Sequence, residues 1–354
     1  MKDKLVEISE LLLFWYDKNK RDLPWRKTTN PYIIWISEII LQQTRVNQGL
    51  DYFLRFVERF PDATSLAAAT DDEILKYWQG LGYYSRARNL HAAAQDIVAR
   101  FDGKFPSRYE DIRSLKGIGE YTAAAIVSFA WNQPYPVVDG NVYRVLSRLF
   151  AVDTPIDSGR GKKEFTVLAA ELLNRRHPGL HNQAMMELGA LQCVPKSPDC
   201  PACPLAGHCM AYATGTVASL PVKEKKVKVK ERYFHYFHIS CKTDTFVNRR
   251  EGDDIWKGLY EFPLIETSEP ADLKVLAADK RYRELFDNIS PITLINRVSF
   301  KHVLTHQIIH ATFYHIGIDR TGPGLSRFQQ IKEEELDLFA VSRLVHLYLE
   351  QLRT

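Results

Sequence analysis

The chain has 354 residues, of which 45% are apolar and 25% charged, which is typical of a soluble globular protein with two or three domains. No apolar run approaches the roughly 18 residues that a membrane-spanning helix needs, and the N-terminus does not resemble a signal sequence, so we expect a cytoplasmic protein without membrane contact. The formal net charge of +4 permits nucleic-acid binding without requiring it. Five cysteines are too few for a disulfide scaffold.

The first predicted helix is amphipathic and extends to about Asp17. It is followed by the loop Leu23-Pro24-Trp25-Arg26, which by itself is typical of a helix exit closed by an aromatic side chain. The next helix is predicted to open at Pro31-Tyr32 and to continue through Thr44. That helix is apolar on nearly every face, which indicates that it is buried.

Glu38 is the exception in this apolar helix. Ile34 and Leu41 lie one turn before and after it, so burial should raise the pKa of its carboxyl group and let it keep a proton near neutral pH. A buried glutamate without a role is costly, which favours a catalytic acid or base. The alternative is a glutamate that pairs with an arginine for packing alone.

Residues 80–84, Gly-Leu-Gly-Tyr-Tyr, form a distinctive loop. Aliphatic and aromatic side chains on such a loop, here Leu81 and Tyr83, can enter a base stack as wedges when a nucleotide leaves the duplex. Arg86, in the helix beyond, is a candidate phosphate contact. The alternative is a turn that its own tyrosines pack.

The segment from Leu115 to Thr122 predicts a hairpin that grips a phosphate. Gly117 and Gly119 let the backbone turn tightly and bring N–H groups close to an anion, and the following helix points its positive dipole end the same way. Asp139 comes later, just before the apolar face of another helix. Taken alone, Asp139 is better explained as the N-cap of that helix.

Four of the five cysteines, Cys193, Cys200, Cys203 and Cys209, lie within 17 residues. Clustering of this kind in a cytosolic chain indicates a metal site. Four thiolates hold either zinc or an iron–sulfur cluster, and their number does not distinguish the two.

The pattern changes in the C-terminal third. Residues 221–231 are rich in basic side chains and predict an interdomain linker. Strand-like runs follow at 233–241, 246–249, 298–304 and 308–318, and a final helix is predicted over about 334–353.

These segments together resemble the adenine DNA glycosylases of the MutY type, within the helix-hairpin-helix superfamily of base-excision enzymes. The similarity is carried by Leu-Pro-Trp-Arg, Ser-Glu followed by Gln-Gln-Thr, Gly-Leu-Gly-Tyr-Tyr, the hairpin with Asp139, and the cysteine spacing. It implies a mainly α helix-hairpin-helix glycosylase domain with an iron–sulfur loop, followed by an α+β Nudix-like domain. The implied boundaries are 1–220 for the catalytic domain, 193–209 for its [4Fe–4S] loop, 221–231 for the linker and 232–354 for the Nudix-like domain.

The resemblance also implies roles for single residues. Glu38 would be the general acid and base, and an ionised Asp139 would stabilise the sugar cation, with Tyr121 and Asn141 beside it. The residues implied in binding DNA or the adenine are Trp25, Arg26, Gln43, Thr44, Leu81, Tyr83, Arg86, Lys116, Gly117, Gly119, Thr122 and Gln183. The cysteines, Cys193, Cys200, Cys203 and Cys209, would hold the [4Fe–4S] cluster.

Position 121 separates two activities within this superfamily. The related endonuclease III-type enzymes carry a lysine there, whose amine attacks the sugar and leads to strand cleavage. Tyrosine cannot form a Schiff base. The resemblance therefore implies base removal alone, with Tyr121 donating a hydrogen bond near Asp139.

The segment Gly258-Leu259-Tyr260-Glu261-Phe262-Pro263 resembles a strand of Nudix domains, but the acidic catalytic helix of Nudix hydrolases does not follow it. In the MutY family this domain recognises 8-oxoguanine through a loop that ends in Ser-His. Here the loop is Leu304-Thr305-His306, with Leu in place of the usual Phe. Thr305 and His306 are therefore the expected lesion readers.

We expect a monomeric bacterial enzyme, associated with the nucleoid through DNA binding. Its expected reaction is hydrolysis of the N-glycosidic bond of adenine opposite 8-oxoguanine or guanine in double-stranded DNA. Three alternatives remain open: an endonuclease III-type glycosylase and lyase for oxidised pyrimidines, a non-enzymatic DNA-binding redox module, and a nucleotide pyrophosphatase.

Overall fold

The computed structural model describes residues 2–224 and 229–353. Contacts divide the chain into two compact units, Met1–Ala68 with Ala92–Lys226 and Ala69–His91 with Val227–Thr354. Part of the expected linker, residues 225–228, lies outside the described residues, and the domain boundaries at 220 and 232 stay a prediction. In the described part of the chain, no helix combines the length and the apolar character needed to cross a membrane.

Helices dominate the chain up to residue 224. In chain order they are α1 (Lys2–Asn19), α2 (Pro31–Leu41), α3 (Val46–Arg59), α4 (Ala63–Ala68), α5 (Asp71–Trp78), α6 (Ser85–Phe101), α7 (Tyr109–Ser114), α8 (Glu120–Trp131), α9 (Gly140–Leu149), α10 (Gly159–Leu172), α11 (Pro178–Leu191) and α12 (Met210–Ala213). Short 3-10 helices cover Pro24–Arg26, Ala206–His208 and Val217–Ser219.

Helix α2 begins where local chemistry predicts. The side chain of Asn30 accepts from the backbone N–H of Tyr32 at 2.9 Å, and Pro31 occupies the first helical position, where no N–H is needed. Nearly all of the helix is buried, as its composition predicts, and it packs against α8. Glu38 is thereby held inside the helical unit.

Two glycines of α11 bring neighbouring helices unusually close. A Cβ atom on Gly189 would lie 2.6 Å from the Cβ of Asn141 in α9, and one on Gly179 would lie 2.3 Å from the carbonyl oxygen of Ser128 in α8. Neither contact is possible with a larger residue unless the helices shift. The glycines therefore set the positions of α8 and α9 relative to α11, and with them the segment that carries Asp139.

The C-terminal part folds around one sheet. Its strands are β1 (Lys230–Cys241), β2 (Asp244–Arg249), β3 (Tyr260–Glu261), β4 (Leu264–Thr267), β5 (Ile292–Val303), β6 (Gln307–Ile318) and β7 (Gln329–Lys332). The order is β3-β2-β1-β6-β5, with β4 beside β1 and β7 beside β2. β1 and β6 are parallel, whereas β5 and β6 form a long antiparallel hairpin with Thr305 and His306 in its turn. The strand-like runs predicted from the sequence are confirmed.

Three helices accompany the sheet, α13 (Leu273–Ala278), α14 (Lys280–Leu285) and α15 (Arg343–Leu352). The prediction of one final helix over about 334–353 is wrong: a 3-10 helix covers Glu333–Leu338, and α15 begins after Ser342. The break has a tertiary cause, because Tyr260 donates its N–H to the carbonyl oxygen of Ala340 at 2.8 Å and pairs with Val341. Ser342 then caps α15 through the N–H of Val345.

Candidate active site

A cavity of about 1270 Å³ opens among helices α2, α8, α9 and α11. It exceeds the roughly 300–1,000 Å³ of most small-molecule sites, and is large enough for a nucleotide with flanking backbone. Most of the expected site residues of this unit line it: Trp25, Arg26, Glu38, Gln43, Thr44, Gly117, Gly119, Tyr121, Thr122, Asp139, Asn141 and Gln183. Glu38 and Asp139 therefore face one shared space, although they are separated by about a hundred residues.

Glu38 is 7% exposed at one wall of this cavity. Burial raises the pKa of its carboxyl group to about 7; the hydroxyl of Tyr121 and the charge of Arg26 oppose this increase, and Asp139 adds to it. The increase expected from the apolar helix is thus present. At neutral pH a substantial fraction of Glu38 carries the proton that a general acid needs.

Asp139 is held in a different way. Its side chain is the N-cap of α9, where Oδ1 accepts from the N–H of Val142 at 2.8 Å and Oδ2 accepts from Nδ2 of Asn141 at 2.8 Å. Burial raises the pKa of Asp139, and these N–H donors together with the charge of Arg144 oppose the increase. The capping role and the place in the cavity are therefore compatible, since the cap bonds favour the ionised form.

Tyr121 binds Glu38 directly. Its hydroxyl donates to Oε2 of Glu38 at 2.6 Å, and burial, with Glu38 and Asp139 nearby, raises the pKa of the phenol well above its usual value. Tyr121 therefore keeps its proton and acts as a donor. The sequence placed this hydrogen bond near Asp139; the structure places it on the other carboxyl group.

A chain of hydrogen bonds extends from Asp139 to the cysteine loop. Asn141 donates to Asp139 and accepts, through Oδ1, from Nη2 of Arg144 at 2.9 Å. Arg144 also donates through Nε to the carbonyl oxygen of Cys193 at 2.7 Å. The orientation of the cap carboxylate is thus coupled to the position of the first cysteine of the loop.

The cavity is also lined by a second buried acid, Glu187 of α11, whose side chain is fully buried. Nη1 and Nη2 of Arg26 donate to its two oxygens, each at 2.8 Å, and Arg21 donates through Nε at 2.9 Å and through its backbone N–H at 2.8 Å. Burial alone would raise the pKa of Glu187, but these bonds lower it to about 2. Arg26 is therefore fixed beside the cavity by an ionised partner.

Gln183 and Trp25 also line this cavity. The hydroxyl of Tyr16 donates to Oε1 of Gln183 at 2.8 Å, so the amide N–H groups of Gln183 are the ones left to donate to a ligand. Trp25 is buried and packs edge-to-face on Phe53, with ring centroids 5.0 Å apart. Together the two residues offer a flat apolar surface next to a polar amide, a combination suited to a planar base.

Residues after α2 and at the start of α8 form the rim. Gln43 has a φ of 57°, a left-handed backbone that is uncommon for a residue other than glycine and that clusters at functional sites. The hydroxyl of Thr44 contacts the carbonyl oxygen of Gln42 at 3.4 Å. Thr122 is buried, and its hydroxyl accepts from Nε2 of Gln42 at 3.4 Å, so it supports the rim from below.

The hairpin between α7 and α8 uses its two glycines differently. Gly117 has a φ of 77°, which favours glycine. Gly119 has a φ of −89°, and a Cβ there would meet nothing within 4 Å, so the protein itself does not require glycine at this position. Gly119 is the N-cap of α8, whose first N–H groups lack intrahelical acceptors, and Lys116 is exposed beside it.

In the second unit, the structure brings the expected wedge loop and the expected lesion readers together. The Tyr83 hydroxyl lies 3.0 Å from Oγ1 of Thr305, and the Tyr83 side chain is 48% exposed. His306 is also exposed, while its carbonyl oxygen accepts from the N–H of Lys230. Leu81 is only 7% exposed, so Tyr83 alone of the two expected wedges is presented at the surface.

Arg86 is largely shielded from solvent. It is 8% exposed, its guanidinium lies over the rings of Trp78 and Tyr83, and Nη2 donates to the carbonyl oxygen of Gly82 at 3.1 Å. Burial lowers its pKa to about 10. These contacts hold the loop that presents Tyr83, and the phosphate contact of Arg86 stays a prediction.

The four cysteines of the first unit surround one small cavity, and Arg148 lies in its wall. Nη1 of Arg148 is 3.4 Å from Sγ of Cys193, and backbone N–H groups of the loop donate to Cys203 and Cys209. Burial raises the pKa of Cys203 to about 11, and the neighbouring sulfurs add to this increase. Four thiolates can coexist here only with positive charge among them, so the donor set fits a bound metal group.

Comparison with known proteins agrees with this geometry. Residues 36–170 match the model of the HhH-GPD superfamily base excision DNA repair protein, and residues 235–351 match that of the NUDIX domain. Over 303 residues the chain is 35% identical to the adenine DNA glycosylase of Buchnera aphidicola subsp. Acyrthosiphon pisum, which covers 85% of this chain and 84% of that protein. The chain belongs to the adenine DNA glycosylase family.

Solved structures show the same fold in the helical part. A thermostable thymine-DNA glycosylase matches with a TM-score of 0.56 and 27% identity, covering 60% of this chain and 98% of that one. Endonuclease III in a non-covalent complex with DNA matches with a TM-score of 0.52 and 22% identity, covering 61% and 98%. The predicted fold class, a helix-hairpin-helix domain followed by a Nudix-like domain, is confirmed.

Sequence reasoning missed Glu187 and Tyr16 in this family member. Both are separated from their cavity partners by more than 150 residues of sequence, so no local pattern connects them. A signal was nevertheless present for Glu187, because it is an acid flanked by Ala184 and Leu188 on the buried face of α11. The same feature identified Glu38 in α2.

Proposed function

We propose that this chain removes adenine from DNA by hydrolysis of the N-glycosidic bond, when adenine lies opposite 8-oxoguanine or guanine. The observation that carries the proposal is the shared cavity of Glu38 and Asp139, in which one acid keeps a proton and the other is held by N–H donors. Family membership supports adenine as the base, since the relative from Buchnera aphidicola is an adenine DNA glycosylase.

Glu38 is the general acid in this proposal. Adenine is a poor leaving group as an anion, so a proton passes from Glu38 to a ring nitrogen while the bond to the sugar breaks. Its pKa of about 7 suits this transfer near neutral pH. Trp25 and the amide of Gln183 hold the base, the one by its face and the other by its edge.

Asp139 acts on the sugar. Loss of the base leaves an oxocarbenium ion, which an ionised carboxylate stabilises, and an oxygen of Asp139 forms a transient bond to the anomeric carbon. Water then displaces that oxygen, and Glu38, now deprotonated, accepts the proton of the water. Asn141 and the N–H of Val142 favour the ionised carboxylate before the bond forms and after it breaks, and they hold its orientation.

The reaction stops after base removal. Strand cleavage by a lyase needs an amine that attacks the sugar, and position 121 carries a phenol that is bound to Glu38. Among the described residues that line the cavity there is no lysine. This arrangement favours a monofunctional glycosylase over the endonuclease III-type alternative.

The base opposite the adenine is read by the second unit. Tyr83 enters the base stack, while Thr305 and His306 contact the 8-oxoguanine edge from the β5–β6 turn. The hydrogen bond between Tyr83 and Thr305 supports this assignment, since it places a wedge and a polar reader in one patch. A threonine hydroxyl serves where the family's usual loop has serine.

The cysteine loop holds a [4Fe–4S] cluster in this proposal, with Cys193, Cys200, Cys203 and Cys209 as ligands. The cluster supplies a rigid cross-link for the loop and no electron for the reaction, because hydrolysis of a glycosidic bond is not a redox step. Arg148 and the backbone N–H donors compensate the charge of the thiolates. Arg144 links this loop to Asn141, because it donates hydrogen bonds to the carbonyl oxygen of Cys193 and to Oδ1 of Asn141.

One gel assay tests the reaction. Purified chain is incubated with duplexes that contain adenine opposite 8-oxoguanine, adenine opposite guanine, or an oxidised pyrimidine, and abasic sites are revealed with alkali. We expect cleavage of the adenine strand only after alkali. Glu38→Gln and Asp139→Asn should each reduce base release by about 10²–10⁴-fold while binding to the mispair persists. Cleavage without alkali, or a trapped amine adduct, would contradict the monofunctional mechanism.

The two hairpin glycines offer a matched test of the DNA contact. Gly117→Ala forces a side chain into a left-handed backbone, so it should destabilise the chain by about 1–2 kcal/mol. Gly119→Ala should lower the melting temperature by less than Gly117→Ala does, since alanine is only a poorer N-cap than glycine there, but it should weaken binding of any duplex, because the new methyl group stands where a phosphate approaches. Normal DNA affinity for Gly119→Ala would show that the hairpin does not grip the backbone.

A further inference from the structure

Three potential metal ligands converge in the second unit: His238 on β1, His315 on β6 and Glu333 just after β7. One ligand atom of each lies within 4.8 Å of the other two. His238 and His315 are register partners across the parallel strands, and their rings stack with centroids 4.2 Å apart and planes 7° apart. The cluster is therefore built into the sheet rather than formed by mobile surface chains.

His238 lacks the hydrogen bonds that a buried histidine usually has. It is fully buried, and its Nδ1 lies 2.9 Å from the hydroxyl of Tyr348. Its buried Nε2 is 3.3 Å from Oε1 of Glu333, but within the described part of the chain no atom meets Nε2 with hydrogen-bond geometry. Buried polar atoms rarely lack a partner, so this nitrogen requires an explanation.

An ion pair alone leaves this geometry unexplained. Oε1 of Glu333 lies 3.3 Å from Nε2 of His238 but outside hydrogen-bond geometry, and a ring nitrogen of His315 converges on the same space, within 4.8 Å of the ligand atoms of the other two residues. A hydrolytic triad does not fit either, because the hydroxyl of Ser240 contacts both His315 and Glu333 directly. In a triad the carboxylate would instead hold the far nitrogen of the histidine.

We propose that His238, His315 and Glu333 bind one divalent transition-metal ion, for which zinc is the best match. Two imidazoles and one carboxylate are a frequent zinc set, whereas magnesium and calcium prefer oxygen ligands throughout. The contact between Nδ1 of His238 and the hydroxyl of Tyr348 would fix the orientation of the ring and leave Nε2 to bind the metal. The side chain of Glu333 is 39% exposed, which leaves an access path and room for a bound water.

The site links parts of the sheet that are distant in sequence. It joins β1, β6 and the segment after β7, and Tyr348 extends the connection to α15. The turn with Thr305 and His306 lies beyond the other end of β6, whose first residue, Gln307, is eight residues and thus about 26 Å along the strand from His315. The metal is therefore structural for this unit and separate from the proposed lesion readers.

The test is a Co²⁺ titration of the purified full chain. Whatever the cysteine loop holds after purification is left in place. We expect about one Co²⁺ per chain, with d–d absorption but without the intense sulfur-to-cobalt charge-transfer band of a thiolate site. Tyr348→Phe should weaken the affinity about 10–100-fold, and Glu333→Gln at least as much. His346→Gln is the matched control, because it removes another histidine–glutamate pair of the same unit, at 3.2 Å, and should bind Co²⁺ as the wild type does.

Two results would overturn the site: cobalt bands of thiolate type only, or equal affinities for the wild type and Glu333→Gln. Circular dichroism checks that each variant is folded. If Glu333→Gln does not fold, zinc binding by the wild type tests the proposal instead. Zinc must then raise its melting temperature and displace the cobalt signal, and no change in either measurement rejects the proposal.

Discussion

Glu38 and Glu187 line the same cavity, both on helices and both buried, yet they differ in charge state. The pKa of Glu38 is raised to about 7, and that of Glu187 is lowered to about 2. Glu38 receives one neutral hydroxyl, from Tyr121, whereas Glu187 receives two guanidinium groups. The difference shows that the partner, and not burial alone, decides whether an acid in this cavity stores a proton or anchors a cation.

The largest effect on stability is expected from removal of the negative charge of Glu187, which anchors two arginines. Glu187→Gln leaves Arg21 and Arg26 without their counter-ion, so it should destabilise the chain by about 3–5 kcal/mol at pH 7. Because the folded pKa of Glu187 is lowered, its contribution is present above about pH 4.5 and is lost as the pH falls toward 2. Thermal unfolding at pH 7 measures this, with exposed Glu171→Gln as control; an unchanged melting temperature would contradict the pairing.

Substitution of Glu38, the acid that keeps its proton, should change stability in the opposite direction. The folded pKa of Glu38 is raised above its unfolded value of about 4.5, so ionisation costs stability as the pH rises from there through about 7. Glu38→Gln removes this cost and should stabilise the chain by at most about 3 kcal/mol at pH 8. At pH 4.5 the variant and the wild type should melt alike. A lower melting temperature at pH 8 would show that Glu38 is a structural residue.

The smallest effect is expected from loss of the Tyr121 hydroxyl, which donates a hydrogen bond to Glu38. Tyr121→Phe removes a donor that favours ionised Glu38, so the pKa of Glu38 should increase further. Base release that requires protonated Glu38 declines as the pH rises through about 7, and in the variant this decline should move upward by about one pH unit. Single-turnover rates between pH 5 and 9 measure the shift. A decline that stays in place or moves downward would exclude Glu38 as the acid.

Local patterns accounted for the elements that depend on neighbours in sequence. The capped start of α2, the glycine hairpin before α8 and the spacing of the cysteines follow from residues a few positions apart. The apolar composition of α2 also predicted that Glu38 would be buried and its pKa raised, although the burial itself is completed by packing against other helices such as α8. Family resemblance then assigned roles that these patterns alone left open.

At other positions the packing of the folded chain decided what the same reasoning left open. The guanidinium of Arg86 stacks on the rings of Trp78 and Tyr83 and holds a loop, although these residues are near in sequence. The final helix was expected to be continuous, but Tyr260 pairs with the backbone at Ala340 and Val341 and interrupts it. Tyr83 and Thr305 are 222 residues apart, and no pattern in either segment indicates their hydrogen bond.

The amino-acid sequence by itself determined most of the helices and strands, the cluster of four cysteines and the presence of an acid in an apolar helix, because periodicity, capping and spacing act over a few residues. Only the tertiary structure decided which group each acid meets. Tyr121 reaches Glu38, Arg26 reaches Glu187, and His315 lies beside His238 through the packing of helices and the register of strands. Charge states depend on such partners at distances of about 3 Å, and a chain fixes those distances only when it folds.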